Sequence, residues 1–293
     1  MKPAPFTYHD PTTVDAAVGL LAKLENARPL AGGQSLMPMM NFRFVMPDHI
    51  VDLNGISGLD AIRVEDERIT FGAMTRQRAV EHSSAVRAAC PILIDAMAHV
   101  GHRQTRNRGT IGGSLCHLDP AAELANLACL HDATLTASGH GSSRVLSFAQ
   151  FAQGYLTTAL TEGELLTQIE FKRWPAQHGF GFEEVARRRG DFAMSMVSAL
   201  VLLDAHERIE RAAVCVSAVE PVPVRLSSVE QMLVGQMPTQ ALYRAAGIEA
   251  EKLAAMEDAY VSARYRKHLA RVLVYRALTT AVERARTRGR TDA

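Results

Sequence analysis

The chain has 293 residues, of which 47% are hydrophobic and 22% are charged, and its formal net charge is +1. This is the composition of a globular protein with room for one large domain or two smaller ones. The near-zero net charge excludes a general electrostatic attraction to nucleic acid or an acidic membrane, and no apolar run is long enough to span a bilayer. The four cysteines lie far apart, which excludes the short ligand spacings of zinc and iron–sulfur sites and indicates free thiols. We therefore expect a cytoplasmic protein without a secretory signal, a bound metal or a nucleic-acid partner.

The first half of the sequence predicts alternating helices and strands, from the periods at which apolar residues recur and from the residues that cap them. In chain order the expected elements are a helix over 14–25 capped by Thr12 or Thr13, extended segments over 29–31 and 49–53, a hairpin of 61–64 with 68–73, a helix capped by Thr75, a helix over 92–100, and a helix with Asp119 as N-cap and Pro120 in its first turn.

The second half predicts a sheet and a long helix. Strands are expected over 134–137, 144–146 and 165–171, followed by a linker at 174–179 that we take as a domain boundary. Two β-rich runs, 193–203 and 209–218, are joined by a polar turn and predict an antiparallel hairpin, although the length and alanines of 193–203 also fit a helix. An apolar stripe over 264–284 predicts a helix that packs on this sheet.

Two glycine-rich segments carry the strongest functional signal. They are Ala31-Gly32-Gly33-Gln34-Ser35-Leu36 and Thr110-Ile111-Gly112-Gly113-Ser114, each expected where an extended segment passes into a helix or loop. Paired glycines let the backbone approach a ligand closely, and unpaired N–H groups and nearby hydroxyls can bind anionic oxygens. One Gly-Gly pair alone is more often an ordinary turn. Together the two segments predict a clamp for the pyrophosphate of a dinucleotide, in a chain that lacks both the G-x-G-x-x-G and the G-x-x-x-x-G-K-[ST] patterns.

The residues around the second segment add a family resemblance. Residues 101–109 before it and 115–123 after it closely resemble the flavin-binding medium subunits of the molybdenum hydroxylases, the family of carbon monoxide dehydrogenase, xanthine dehydrogenase and the bacterial N-heterocycle hydroxylases. The resemblance continues through 182–193, 223–226 and 265–273 and so spans nearly the whole chain. It implies an α+β fold, with a two-lobed FAD-binding domain over 1–175 and a C-terminal domain of antiparallel sheet and helices over 176–293.

The resemblance also implies which residues contact FAD. The AGG[HQ]S and TIGG segments of the family hold the FAD pyrophosphate, and this chain has Gln34 where many relatives have histidine; an amide can still donate. The Asp-Pro-x-x-Glu segment lies near the ribityl and adenosine hydroxyls, and an acid and an aromatic residue lie beside the isoalloxazine ring. The implied cofactor-binding residues are Ala31, Gly32, Gly33, Gln34, Ser35, Leu36, Thr110, Ile111, Gly112, Gly113, Ser114, His117, Asp119, Glu123, Asp191 and Phe192.

Some of these residues have ordinary structural explanations. Asp119 equally fits a helix cap, and His117 by itself reads as a surface histidine. Arg106 and Arg108 flank the second segment and could neutralise phosphate charge, although such arginines are usually solvated. Glu184 stands where many relatives have lysine, which argues against a cationic partner for the flavin at that position.

By resemblance the chain is an electron-transfer subunit. Substrate is hydroxylated at a molybdopterin centre on a large subunit, and electrons cross the [2Fe–2S] clusters of a small subunit to FAD here and then pass to an external acceptor. The expected assembly is a heterohexamer, a dimer of these heterotrimers. The sequence of residues 104–109 and 182–188 resembles N-heterocycle hydroxylases more closely than carbon monoxide dehydrogenase, and so favours a nicotine-like or purine-like substrate.

The sequence contains no recognisable acid–base pair, nucleophile motif or metal-ligand motif, so we assign no catalytic residue. This is expected where a flavin supplies the redox chemistry. One alternative is a stand-alone flavin-dependent oxidoreductase of the same fold, which would need a general acid or base over the flavin. Another is a flavin-free binding or assembly subunit, which a visible absorption spectrum would reveal.

Overall fold

The computed structural model describes residues 2–289, in which helices and strands are mixed along the chain. The helices are α1 (Val14–Lys23), α2 (Leu36–Asn41), α3 (Gln77–His82), α4 (Ser84–Ala89), α5 (Pro91–Met97), α6 (Arg103–Arg108), α7 (Ile111–His117), α8 (Glu123–Leu130), α9 (Phe148–Phe151), α10 (Ser227–Leu233), α11 (Gln240–Ala250) and α12 (Ala263–Gly289). The strands are β1 (Thr7–His9), β2 (Ala27–Leu30), β3 (His49–Asp52), β4 (Ile62–Val64), β5 (Arg68–Gly72), β6 (Thr134–Gly139), β7 (Ser142–Ser147), β8 (Ala152–Gly154), β9 (Thr157–Thr158), β10 (Leu165–Lys172), β11 (Gly179–Ala186), β12 (Ala193–Leu203), β13 (Ile209–Ser217) and β14 (Val224–Arg225).

The described residues form two compact units that interleave along the sequence. Unit 1 contains residues 2–83, 102–118 and 133–171, and unit 2 contains residues 84–101, 119–132 and 172–289. Short segments between residues 84 and 132 thus alternate between the units. The two units are not divided at a single point of the sequence, and the domain boundary expected near residue 175 stays a prediction.

Unit 1 is built on a three-stranded parallel sheet and a five-stranded sheet. The parallel sheet has the order β1-β3-β2, and the larger sheet has the order β4-β5-β10-β6-β7. Helix α1 is capped by Thr13, whose hydroxyl accepts from the Ala16 amide at 3.2 Å. Its apolar stripe joins residues of β3 and β10 in one buried cluster. The predicted alternation of helices and strands, including the 61–64 and 68–73 hairpin, is confirmed.

One prediction of local structure in unit 1 is wrong. Thr75 does not cap α3: its buried hydroxyl donates instead to the Ala61 carbonyl at 3.3 Å, and Arg76 takes the N-cap position without a side-chain cap. The second glycine-rich segment passes from an extended residue into a helix, as expected: Thr110 is extended and bridges to Arg76, and residues 111–113 form the first turn of α7. Thr110 makes this turn stable, because its hydroxyl accepts from the Gly113 amide at 2.9 Å.

Unit 2 is built on an antiparallel sheet of order β11-β12-β13-β14. The hairpin prediction for 193–203 and 209–218 is confirmed, and the helical alternative is wrong. Alternate residues Val197, Ala199 and Val201 join the cluster formed with α10, α11 and α12. The residues between them face α8, where Ser198 donates to Asn126. Burial on both faces explains why this strand reads as one long apolar run.

The expected helix start at Asp119 and Pro120 is wrong. Leu118 has a left-handed backbone (φ 50°) that ends α7, and the Asp119 carboxylate accepts from the Ala121 amide at 2.8 Å in a turn. The Pro120 carbonyl accepts from the Ala218 amide at 2.9 Å, a partner nearly 100 residues away in the sequence. Helix α8 therefore begins later, at Glu123, with Ala122 as its N-cap.

Two histidines lie buried in unit 2, and each contacts a backbone carbonyl through Nδ1. His131 contacts the Lys172 carbonyl at 2.8 Å through Nδ1 and the Cys90 sulfur at 3.3 Å through Nε2. His178 contacts the Pro175 carbonyl at 2.6 Å. Burial lowers the pKa of each imidazole to about 4, because the charged ring would lose its hydration.

These histidines predict a loss of stability in mild acid. Below their unfolded pKa of 6.5 the unfolded chain takes up protons that the folded chain refuses, so stability falls as pH drops from about 6.5 towards 4. We expect roughly 1–2 kcal/mol per histidine between pH 7.5 and pH 5 from urea denaturation. His131→Gln should start less stable but lose less over this range, whereas His206→Gln, at an exposed position, should behave like the unchanged chain. Equal pH dependence in all three proteins would contradict this prediction.

Candidate functional site

The first glycine-rich segment connects β2 to α2 in unit 1 and leaves its amides free. Gly33 has a left-handed backbone (φ +71°), and the Gln34 side-chain amide donates back to the Gly32 carbonyl at 3.0 Å. Within residues 2–289 the backbone N–H groups of residues 32–35 donate to no other group, and the half-buried Ser35 hydroxyl has no partner. Four consecutive unpaired amides form the kind of site that binds an anion.

Glycine at position 32 is required by the protein itself. A Cβ at Gly32 would lie 2.3 Å from the carbonyl oxygen of Arg108, closer than real atoms approach. At Gly33 a Cβ would meet only the flexible side chains of Met37 and Leu30, at 3.1 and 3.2 Å, but the left-handed backbone strains other residues. The first segment is thus pressed directly against the residue that precedes Gly109 and Thr110.

The second glycine-rich segment uses its amides within the fold. Ile111 and Gly112 donate to the carbonyls of Thr75 and Ala73 at 3.0 and 2.9 Å, and the amides of residues 113 and 114 donate to Thr110. What remains is the half-buried Ser114 hydroxyl, for which the described residues provide no partner. The two segments are neighbours, because a Cβ at Gly113 would lie 3.4 Å from the Ala31 Cβ. The site is therefore asymmetric: the first segment offers amides and the second a hydroxyl.

The two arginines flanking the second segment have different environments. Arg106 forms a two-point ion pair with Glu81, at 3.0 and 3.1 Å, which joins α6 to α3 and lowers the pKa of that carboxyl. The exposed Arg108 guanidinium forms no ion pair or hydrogen bond in the described part of the chain. Of the two, only Arg108 has its charge available to a ligand.

Sequence reasoning missed two polar residues beside the first segment. Asn54 donates from Nδ2 to the Ala31 carbonyl at 3.0 Å, and Arg76 donates both to Asn54 and to the carbonyl of Arg108. The position of Asn54 was a usable signal, because a polar residue just after a parallel strand lies at the sheet edge where ligands bind. Arg76 offered no such signal in the sequence.

The remaining predicted site residues divide between the units. His117 ends α7 in unit 1, while Asp119, Glu123, Asp191 and Phe192 belong to unit 2. Asp191 is in the turn between β11 and β12, and its amide donates to the Arg188 carbonyl at 3.1 Å. Phe192 follows it with 76% of its surface exposed. Phe44 and Tyr260 are exposed to a similar degree, at 80% and 78%, so exposure alone does not assign a role to Phe192.

Glu184 occupies a packed position in unit 2. Only 3% of its side chain is exposed, and its carboxylate lies 3.7 Å from the Nδ1 atom of His99. The His99 ring packs against Phe182, with 5.3 Å between ring centres. Among the described residues, Oε2 of Glu184 has no hydrogen-bond partner. The inference that no cation serves the flavin from this position stays a prediction.

The described residues show no metal site and no membrane span. No group of three or more His, Cys, Asp or Glu side chains between residues 2 and 289 is arranged to hold a metal ion. No helix in the same range combines the length and apolar character needed to cross a bilayer. All four cysteines are free thiols.

Comparison with known proteins decides the family. Residues 4–174 match the model for the FAD binding domain in molybdopterin dehydrogenase, and residues 180–281 match the model for the CO dehydrogenase flavoprotein C-terminal domain. The chain belongs to the FAD-binding medium subunits of the molybdenum hydroxylases. The predicted family resemblance is confirmed, as is the α+β fold class.

Individual relatives match along almost their whole length. Caffeine dehydrogenase subunit beta of Pseudomonas sp. strain CBB1 is 37% identical, over 97% of each chain. The 6-hydroxypseudooxynicotine dehydrogenase complex subunit alpha of Paenarthrobacter nicotinovorans is 35% identical, over 98% of this chain and 97% of that one. Among solved structures, the carbon monoxide dehydrogenase of Hydrogenophaga pseudoflava lacking its Mo-pyranopterin moiety matches with a TM-score of 0.94 and 33% identity, over 97% of this chain and 99% of that one.

Membership in this family defines the type of protein and its cofactor. The chain is an oxidoreductase subunit that binds FAD, and the molybdenum and iron–sulfur cofactors of such complexes are on other subunits. Medium subunits of the carbon monoxide dehydrogenase type pair with a large molybdenum subunit and a small iron–sulfur subunit. The unpaired amides of residues 32–35 and the hydroxyls of Ser35 and Ser114 fit the pyrophosphate of FAD, which offers only acceptors.

The contact at Gly32 predicts a loss of stability that does not depend on the ligand. Gly32→Ala should destabilise the flavin-free chain by roughly 2 kcal/mol or more, because the new Cβ must displace the Arg108 carbonyl. Gly19→Ala is the control: a Cβ there meets nothing within 4 Å, and alanine favours the helix. Thermal unfolding of the flavin-free proteins measures both. A Gly32→Ala chain as stable as the unchanged one would show that Gly32 does not lie against the Arg108 carbonyl.

Proposed function

We propose that this chain holds FAD between its two glycine-rich segments and passes electrons from the [2Fe–2S] clusters of a small subunit to an external acceptor. The observation that supports this most is the run of unpaired amides at residues 32–35 beside two free serine hydroxyls. Bound FAD would supply the redox chemistry, since the flavin accepts and releases electrons itself. The residues of the chain bind and orient it.

In this proposal the two glycine-rich segments contribute different groups to the binding of the pyrophosphate. The amides of residues 32–35 and the Ser35 hydroxyl bind the phosphate oxygens from one side, and Gln34 stays bonded to the Gly32 carbonyl and stabilises the turn. From the other side Ser114 donates its hydroxyl. The segment 110–113 acts through packing, because its amides are already used. Ala31 and Leu36 are the two end residues of the first segment.

The other contacts rest on the family resemblance. His117, Asp119 and Glu123 are proposed to face the ribityl and adenosine hydroxyls, where carboxylates are suitable acceptors. Asp191 and Phe192 are proposed to lie beside the isoalloxazine ring. The exposure of Phe192 supports this assignment, because an unshielded aromatic ring gains by covering another ring.

The wider setting of the chain is also proposed. Its partners would be a large molybdopterin subunit and a small iron–sulfur subunit, in a dimer of heterotrimers. The relatives named for caffeine and for 6-hydroxypseudooxynicotine support a purine-like or nicotine-like substrate on the large subunit. Four free thiols suit a reducing cytoplasm. The two family matches, 4–174 and 180–281, support a sequence domain boundary near residue 175.

Noncovalent FAD binding is directly testable. The purified chain should show a flavin absorption spectrum, and denaturation should release intact FAD in about equal molar amount, because this chain has no known covalent flavin-attachment motif. Chromatography of the released flavin measures this. Flavin that stays with the denatured chain, or release of FMN alone, would contradict the proposal, and a colourless chain that cannot take up FAD would support an assembly subunit instead.

The isolated chain also separates the electron-transfer function from the stand-alone alternative. Loaded with FAD, it should reduce artificial acceptors when given a reduced donor but turn over no N-heterocycle, and activity should appear when the large and small subunits are added. Substrate oxidation by the single chain in the absence of molybdenum would favour a stand-alone oxidoreductase.

Phe192 offers a test of the route by which electrons arrive. Phe192→Lys should leave the melting temperature of the isolated chain nearly unchanged, because the side chain is exposed, while it slows flavin reduction or weakens assembly in the reconstituted complex. Val145→Lys, at a 65% exposed position in unit 1, is the matched control and should change neither. Stopped-flow flavin reduction measures the rate. Unchanged rate and assembly in Phe192→Lys would contradict the assignment.

A further inference from the structure

A polar network joins the first glycine-rich segment to the turn before the second. Arg76 donates from one terminal nitrogen to the backbone carbonyl of Arg108 and from the other to Oδ1 of Asn54. Asn54 donates from Nδ2 to the carbonyl of Ala31 at 3.0 Å. Two side chains outside the glycine-rich segments thus connect residue 31 to residue 108, entirely within unit 1.

Asp52 fixes the orientation of the Asn54 side chain through hydrogen bonds. One carboxylate oxygen accepts from the Asn54 backbone amide at 2.9 Å and from its side-chain amide, and the other accepts from the Tyr8 hydroxyl at 2.5 Å. Burial alone would raise the pKa of Asp52, but the hydrogen bonds from Tyr8 and Asn54 lower it below the usual value. As a carboxylate Asp52 only accepts, so it holds the Asn54 side chain with Nδ2 towards Ala31 and Oδ1 towards Arg76.

The contact at Ala31 acts directly on the first free amide. The carbonyl of Ala31 and the N–H of Gly32 belong to one planar trans peptide, so they point in opposite directions. A hydrogen bond that fixes the carbonyl therefore fixes the direction of the Gly32 N–H. Arg76 holds the Arg108 carbonyl in the same way, and this carbonyl is the atom against which Gly32 packs.

Arg76 and Arg108 bring two positive charges near these amides, and the Asp52 carboxylate brings one negative charge. Burial lowers the pKa of the Arg76 guanidinium, and the nearby charge of Arg108 lowers it further. Asp52 and Asp60 offset this only in part. A bound anion would reduce the electrostatic repulsion between these two cations and accept hydrogen bonds from the four unpaired amides.

We propose that Arg76 and Asn54 are positioning residues for the diphosphate of the dinucleotide: they hold the carbonyls of Ala31 and Arg108 and so orient the amide of Gly32, the first of the four unpaired amides. The inference rests on the proposed function. Arginine suits this position because its planar fork reaches two acceptors at fixed directions, which the single ammonium of lysine cannot do.

The test compares ligand affinity with folding in the full-length chain. Arg76→Gln and Asn54→Ala should each raise the Kd for FAD about tenfold or more, the loss expected for a charge-assisted hydrogen bond that orients a ligand site. The Kd for ADP, which carries the same diphosphate without the flavin, should rise by a similar factor. The Kd of the double variant should be about equal to that of the single variant that binds FAD less tightly, because the two residues act as one unit. Arg76→Lys should not restore affinity.

Controls distinguish positioning from general damage. Arg63→Gln removes an exposed arginine of unit 1 that makes no hydrogen bond or ion pair in the described residues, and its Kd should match that of the unchanged chain. Melting of the flavin-free variants shows whether they fold; if Arg76→Gln does not, Asn54→Ala and Arg76→Lys answer the same question. An unchanged Kd in the folded variants, full rescue by lysine, or additive effects in the double variant would overturn the inference. If the unchanged chain itself fails to bind FAD, the proposed function fails rather than the network alone.

Discussion

The contact between Gly32 and the Arg108 carbonyl is the constraint on which the candidate site depends. No side chain fits between them, so the first glycine-rich segment meets the residue just before Gly109 through backbone atoms. The second segment is held in place by its own hydrogen bonds to Ala73, Thr75 and Thr110. A site built in this way needs little reordering when a dinucleotide binds, and so more of the interaction energy appears as affinity.

The amides of the two segments differ because the segments have different neighbours in the fold. Residues 111–114 lie against strand β5 and the turn after it, where carbonyls are available, and their amides are therefore used for folding. Residues 32–35 leave β2 at the edge of the parallel sheet, beyond the last strand partner, and find no carbonyl among the described residues. Glycines in the two segments look alike in the sequence but have different tasks. In the first segment they expose donors, and in the second they allow α7 to pack closely.

Local patterns of sequence were enough to predict much of the fold, while the location of the site stays a prediction. Helix α1, the hairpin of β4 with β5 and the hairpin of β12 with β13 follow from periodicity and turn residues, which act within a few positions. The errors share a cause. Thr75 and Pro120 were assigned to helix starts by their local chemistry, but each makes a hydrogen bond to a distant partner, Ala61 or Ala218, that a local pattern cannot reveal. The link from Asn54 to Arg76 and Arg108 was hidden for the same reason, since it joins residues up to 54 positions apart.

Electrostatics also connects the binding site to the stability of the chain. Arg106 is neutralised by Glu81, whereas Arg76 and Arg108 stand near one another with only partial compensation from acidic side chains. In the absence of an anion this repulsion opposes the compact state, and the free amides of residues 32–35 must be satisfied by water. A bound diphosphate would offset both costs in the folded chain and neither in the unfolded one, so cofactor binding and folding of unit 1 are thermodynamically linked. Because exposed charges are screened by salt while the amides are not, the electrostatic part of this linkage should weaken at high ionic strength and the hydrogen-bonded part should persist.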